Sequence, residues 1–191
     1  MIKKASLGLA LFCLANSAVA QWEVTAGYSQ LDLDMGLSFD LGAAVLGAGY
    51  NFPISERLNI TPMVRIGFGM KDDDFPWTLG TTENGQPVQY RPDAKLKVNQ
   101  YYGVQVRGEF QLNNSVYLFV APSYSVLEEK ITVNYQSVGL DFSNESVRRD
   151  WDGFGIGAGA GWKFTDFIGA EFSYETADFG RGVDVNTLNV Q

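Results

Sequence analysis

Glu171 and Glu175 lie four residues apart in residues 167–177, a stretch whose apolar residues recur at every second position. In an extended strand that spacing puts both carboxylates on one face, an arrangement suited to general acid and base chemistry. Little else in the chain could complete a reaction centre. The sequence contains no histidine, which removes Ser-His and Asp-His constellations and imidazole metal sites. Its single cysteine is Cys13, so no disulfide or thiolate site arises in the rest of the chain. Gly155-Ile-Gly157-Ala-Gly159-Ala160 has the spelling of a dinucleotide fingerprint, yet it sits inside a strand pattern and no helix follows. Asp72-Asp73-Asp74 reads as a solvated acidic run. No catalytic residue, cofactor or metal is expected. The reading for Glu171 and Glu175 is compensation of basic residues on the same face, because unpaired charge in a confined space is costly.

The elements that position these charges are strands. In residues 101–112 one face carries Tyr102, Val104, Val106, Phe110 and Leu112, and the other Tyr101, Gln105, Arg107, Glu109 and Gln111. The same period runs through residues 22–32, 41–52, 57–70, 96–112, 115–128, 151–164, 167–177 and, more briefly, 187–191. Arg65, Arg107 and Lys163 share their faces with Glu23, Glu109, Glu171 and Glu175, so a charge network is expected there, with Glu171 as a partner of Arg107. In residues 151–164 that face is five alternate glycines, Gly153 to Gly161. Pro62 predicts a sheet edge or a bulge. Residues 71–95, with three prolines and Asn84-Gly85, predict a long polar loop, and residues 129–150 predict a hairpin that extends its strands past the sheet.

The first 20 residues form a separate unit. Lys3 and Lys4, the apolar run 7–14 and Ala18-Val19-Ala20 have the form of a secretory signal peptide, which leaves residues 21–191 as one domain. The apolar run is too short for a spanning helix, and Phe12 before Cys13 argues against a lipoprotein. Its removal takes Lys+Arg from 14 to 12 against 22 Asp+Glu, and the formal charge from −8 to −10. So acidic a chain is not suited to nucleic acid, whose phosphates need clustered cations. With 21 glycines and 14% aromatic residues the composition favours strands and turns.

Alternation leaves two all-β readings, a soluble lipocalin-type barrel with the apolar face inward and a membrane barrel with it outward. Three features favour lipid outside. Alternate glycines suit a narrow lumen, the polar face carries both signs of charge, and aromatics gather near strand ends as interfacial girdles do. Those aromatics are Trp22, Tyr50, Phe52, Phe68, Tyr102, Phe110, Phe154, Trp162 and Phe164. The fold expected is therefore all-β, an eight-stranded antiparallel up-and-down transmembrane β-barrel. Its connections two, four and six are short periplasmic turns; three, five and, in part, one and seven are longer outer loops.

In this strand pattern residues 21–191 resemble the small eight-stranded outer-membrane barrels of the OmpA and OmpX type. The resemblance implies the outer membrane of a Gram-negative bacterium, a monomer, and a non-enzymatic role in envelope integrity or surface adhesion. It implies as partners outer-membrane lipid and lipopolysaccharide, the barrel-assembly machinery, and a surface ligand at loops 71–95 and 129–150. Family members commonly end on a full strand with a terminal aromatic. Here only Leu188 and Val190 are lipid-facing candidates before Gln191, so a shortened closing strand or a truncated sequence is expected. The alternative function is a small pore along the glycine face, against which Tyr101, Tyr117, Phe119 and Met63 would fill the lumen.

Overall fold

The computed structural model describes residues 22–76, 78–83, 86–135, 145–165, 168–180 and 182–191. The expected signal peptide lies outside the described residues. Strands follow one another as β1 (Trp22–Asp34), β2 (Ser38–Tyr50), β3 (Phe52–Pro53), β4 (Leu58–Pro76), β5 (Leu79–Glu83), β6 (Gln86–Tyr90), β7 (Asp93–Gln111), β8 (Val116–Asn134), β9 (Glu145–Lys163), β10 (Gly169–Asp178) and β11 (Asp184–Val190). Eight of them, all but β3, β5 and β6, run antiparallel in the order β2-β1-β11-β10-β9-β8-β7-β4, and β2 pairs with β4 to close the ring. Closure pairs the strands on both sides around the ring, apart from the inner end of β1 below Tyr28, and so meets the condition for crossing a bilayer with strands.

The apolar residues of the even-numbered face stand outward. Val24, Leu46, Val64, Val104, Val120, Ile156 and Phe172 are all at least half exposed, whereas their odd-numbered neighbours point into the lumen. Water would penalise this surface by roughly 25 cal/mol per Å², so it belongs in hydrocarbon. Pro62 sits inside β4, opposite Val106 and with no bulge of its own; on its other side pairing lapses between Gly49↔Met63 and Phe52↔Ile60, so the break expected there is a gap in the ladder. The nearby ladder between β7 and β8 lapses from Gln105↔Ser123 to Gly108↔Val120, beside Pro122, which has no N–H to donate.

The inner end, where Trp22 begins, has tight turns. Asn113 Oδ1 accepts from the N–H groups of Ser115 and Val116 at 2.8 Å each, and Thr165 Oγ1 accepts from the Ile168 N–H at 3.0 Å. The outer end differs from expectation in two ways. Connections one and seven are also short: Gly36 (φ 84°) turns the chain between β1 and β2, and Gly180 (φ 72°) turns it between β10 and β11. Residues 71–95 are mostly strand, because β4 reaches Pro76, β7 starts at Asp93 and the hairpin β5–β6 lies between them. Ladder hydrogen bonds outweigh the low strand propensity of Asp and Lys there. The expected extension beyond residue 128 is present as the outer parts of β8 and β9, with residues 136–144 outside the described residues.

Four strands thus overtop the rim on one side of the barrel. Bulges mark the handover, between Gly42 and Ala43, between Phe68 and Asp72, and between Val98 and Gln100. A bulge adds twist and bends a strand, which turns the overtopping sheet relative to the ring. Gly69 is confined to glycine here, since a Cβ would stand 1.9 Å from the Val98 carbonyl oxygen. The closing strand β11 pairs with both β1 and β10 over seven residues, from Asp184 to Val190. It begins earlier than the expected residue 187 and pairs β1 only as far down as Tyr28.

Candidate functional site

Arg107 is the centre of the inner half of the lumen. It is 1% exposed, and its guanidinium donates from Nε to Glu109 Oε1 at 2.8 Å and from Nη1 to Glu171 at 2.7 and 2.9 Å. Its Nη2 donates to Glu23, and its face lies 5.4 Å from the Phe119 ring centroid. Thr61 Oγ1 donates to Glu109 at 3.0 Å, and the Tyr117 hydroxyl donates to Glu171. A planar fork with five N–H donors suits three carboxylates that arrive from β1, β7 and β10.

A second pair lies farther out. Arg65 Nη1 and Nη2 donate to Glu175 at 2.7 and 3.0 Å, Ser123 Oγ donates to the same carboxylate at 2.6 Å, and Arg65 stacks 5.5 Å from Tyr101. The structure therefore divides the charges into two groups. Glu171 serves Arg107 and Glu175 serves Arg65, so the two carboxylates are bound to different arginines. Lys163 joins neither; its Nζ lies 5.3 Å from the Tyr117 ring centroid and forms no ion pair among the described residues.

The alternate glycines of β9 make room for these groups. A Cβ at Gly161 would stand 2.1 Å from Tyr117 Cζ, and one at Gly159 would stand 2.6 Å from Phe119 Cζ. At the inner mouth a cleft of about 540 Å³, bordered by Trp22, Glu23, Thr25, Glu171 and Gln191, reaches up to Glu109. It ends on the Arg107 cluster.

The outer half of the lumen is apolar, which the sequence reading of a polar interior did not anticipate. Leu31, Leu33, Leu41, Val45, Leu127 and Val185, with Phe39, Tyr101, Phe179 and Val183, form one buried cluster. These residues have the same odd numbering as Glu23 and Arg107, so the signal was present: in residues 31–33 and 39–45 the apolar face is the odd-numbered one, and the even-numbered face carries Asp32 and Asp40. Of the aromatics expected at the membrane interface, Trp22, Phe52, Phe110, Trp162 and Phe164 ring the inner end and Phe68, Tyr102 and Phe154 stand nearer the outer one, all exposed. Tyr50 is half-buried between Trp22 and Phe52, at ring-centroid distances of 5.4 and 4.8 Å.

A closed eight-stranded ring with an apolar belt and a side-chain-filled lumen defines a transmembrane barrel. Residues 5–191 match the family described as Outer membrane protein beta-barrel domain, and the chain belongs to that family. Its place is the outer membrane of a Gram-negative bacterium. The fold is similar to that of Ail, the attachment invasion locus protein of Yersinia pestis, with 17% identity, a TM-score of 0.57 and coverage of 90% of this chain and 95% of that one. It is also similar to Neisserial surface protein A, with 16% identity, a TM-score of 0.57 and coverage of 90% and 94%. A second Ail structure, in complex with the heparin analogue sucrose octasulfate, aligns at 17% identity and a TM-score of 0.55 over 88% of this chain and 94% of that one. No curated protein matches.

Proposed function

We propose that this protein is a non-enzymatic surface protein, a plugged barrel that holds β4, β7, β8 and β9 above the outer membrane as an interaction sheet for adhesion or envelope integrity. The observation that carries this reading is the filled lumen: the Arg107 and Arg65 groups occupy its inner part and the leucine-rich cluster its outer part. Such an interior serves as a frame and does not conduct, which weighs against the small pore. Purified, folded protein in planar bilayers is expected to show no steady conductance. A sustained open current would sink the plugged-barrel reading.

The overtopping sheet also suggests a ligand class. Lys97, Lys130 and Arg148 stand directly opposite one another on β7, β8 and β9. Like charges in direct register repel, so an anion between them relieves a built-in cost. Arg148 has Glu128 at 3.6 Å, whereas Lys97 and Lys130 form no ion pair among the described residues. That row fits a sulfated or phosphorylated sugar, in keeping with the ligand carried by one of the Ail structures. Retention on a sulfated-glycan column is expected to fall severalfold when all three cations are changed to Ala; unchanged retention argues against this ligand. Outer-membrane lipid and lipopolysaccharide around the apolar belt, the barrel-assembly machinery during biogenesis, and a monomeric state complete the proposal. A cleaved signal peptide over residues 1–20 belongs to it as well, and N-terminal sequencing of the mature protein tests that.

A further inference from the structure

Glu129 is anomalous in a way the barrel does not explain. It lies on β8 just past the rim, where the outward residues change from Tyr124 and Val126 to Glu128 and Lys130, so it is outside the membrane-spanning part of the strand. Its own side chain points the other way, into the outer apolar cluster, and is 0% exposed. Leu96, Val98 and Leu127 are buried in that cluster, with Ile131 and Trp151 packed on it. Among the described residues neither carboxylate oxygen has a partner in hydrogen-bonding geometry, and neither does the buried indole nitrogen of Trp151. A carboxylate so placed is costly when ionised and tolerable when neutral.

No charged group on the same face forms an ion pair with it among the described residues. Arg149, its ladder partner on β9, is exposed and forms no ion pair with it. On β4, Asp73 shares the face but accepts the Asp40 N–H at 2.9 Å. Farther out on β9, Glu145 accepts from the Tyr135 hydroxyl at 3.4 Å. β7 presents Leu96 and Val98, and its Lys95 and Lys97 lie on the opposite face. Among the described residues the far side of β9 carries no strand above Phe154, because β10 stops at Asp178↔Phe154. This corner of the overtopping sheet is thus held on the barrel through the apolar contacts around Glu129.

We propose that Glu129 is a proton-operated latch: protonated, it lets the outer parts of β8 and β9 pack on the apolar plug, and ionised, it loosens that corner and uncovers apolar surface at the outer mouth. Burial pushes the Glu129 carboxyl above the usual carboxylate range, with the Trp151 indole N–H and Arg149 pulling the other way. The packed state therefore holds the proton more tightly than the loosened one. Its stability is fully present below the ordinary glutamate value of about 4.3 and is lost as pH rises through the raised value.

Hydrogen exchange on the full chain in lipid nanodiscs tests this, with rates corrected for intrinsic exchange at each pH. Protection of residues 128–134 and 145–151 is expected to fall from pH 4.5 to pH 8, by about tenfold for each pH unit between the ordinary and the raised value. In Glu129→Gln the same segments stay protected throughout, whereas Glu128→Gln, altered on the opposite face, keeps the wild-type decline. Flat protection in the wild type, a decline that persists in Glu129→Gln, or its loss in Glu128→Gln would each overturn the latch. A titration of the Glu129 carboxyl carbon by NMR needs no variant, and a midpoint in the ordinary carboxylate range overturns it as well.

Discussion

The two halves of the lumen are built by the same eight strands and the same odd-numbered side chains, yet they are closed by opposite means. Below, Arg107 gathers Glu23, Glu109 and Glu171 from three strands, and each charge is tolerable only because the others are present. Above, Leu33, Leu41, Val45 and Val185 fill the space with no polar partner required. A charged closure specifies which strand faces which, since a one-residue slip would leave carboxylates unpaired. An apolar closure tolerates imprecision but excludes water. Together they make a rigid frame for the four tall strands.

The largest effect should come from the charged half. Arg107→Ala leaves three carboxylates around an empty position and should lower stability by about 3–5 kcal/mol, read as a shift in the urea midpoint in lipid vesicles. A shift no larger than that of Asp73→Ala would remove Arg107 from the centre of the comparison. Leu41→Ala in the apolar half should cost about 2–4 kcal/mol through lost burial and a residual cavity. If that half were a water-filled passage, the same change would be nearly silent and would raise conductance. At the boundary between β9 and the inner aromatics, Gly161→Ala forces Tyr117 aside and should cost about 1–3 kcal/mol, seen also as a weaker Tyr117 bond to Glu171. Asp73→Ala, which loses the bonds from the Asp40 and Asp74 N–H groups outside the barrel, should be the mildest, at about 1 kcal/mol.

Much of this was legible without coordinates because the barrel obeys a period of two. Tyr102, Val104 and Val106 against Gln105, Arg107 and Glu109 already separate lipid from lumen, and the glycines of β9 already mark where large lumenal side chains need room. Two features were not legible. Residues 31–33 and 39–45 reverse the alternation, with Leu31, Leu33, Phe39 and Leu41 on the lumenal face and Asp32 and Asp40 on the other, so the rule that turns the oily face to lipid points the wrong way there. The polar run 71–95 looks like a loop because Asp, Lys and Pro have low strand propensity; it pairs largely with itself, Asp74 with Lys95 and β5 with β6, on top of a ladder whose register is set lower in the barrel.

The sequence by itself determined the class of the protein: no long apolar run after residue 20 for a helical span, and alternating strands whose oily face must meet lipid. Tertiary structure alone decided the partnerships. Arg107 meets Glu23 84 residues away and Glu171 64 residues away, and Arg65 meets Glu175 110 residues away. Those pairings follow from ring closure and register, properties of all the strands at once, so no local pattern encodes them. Glu171 and Glu175, which by spacing alone suggested one acid and base pair, are held apart for the same reason, each bound to a different arginine.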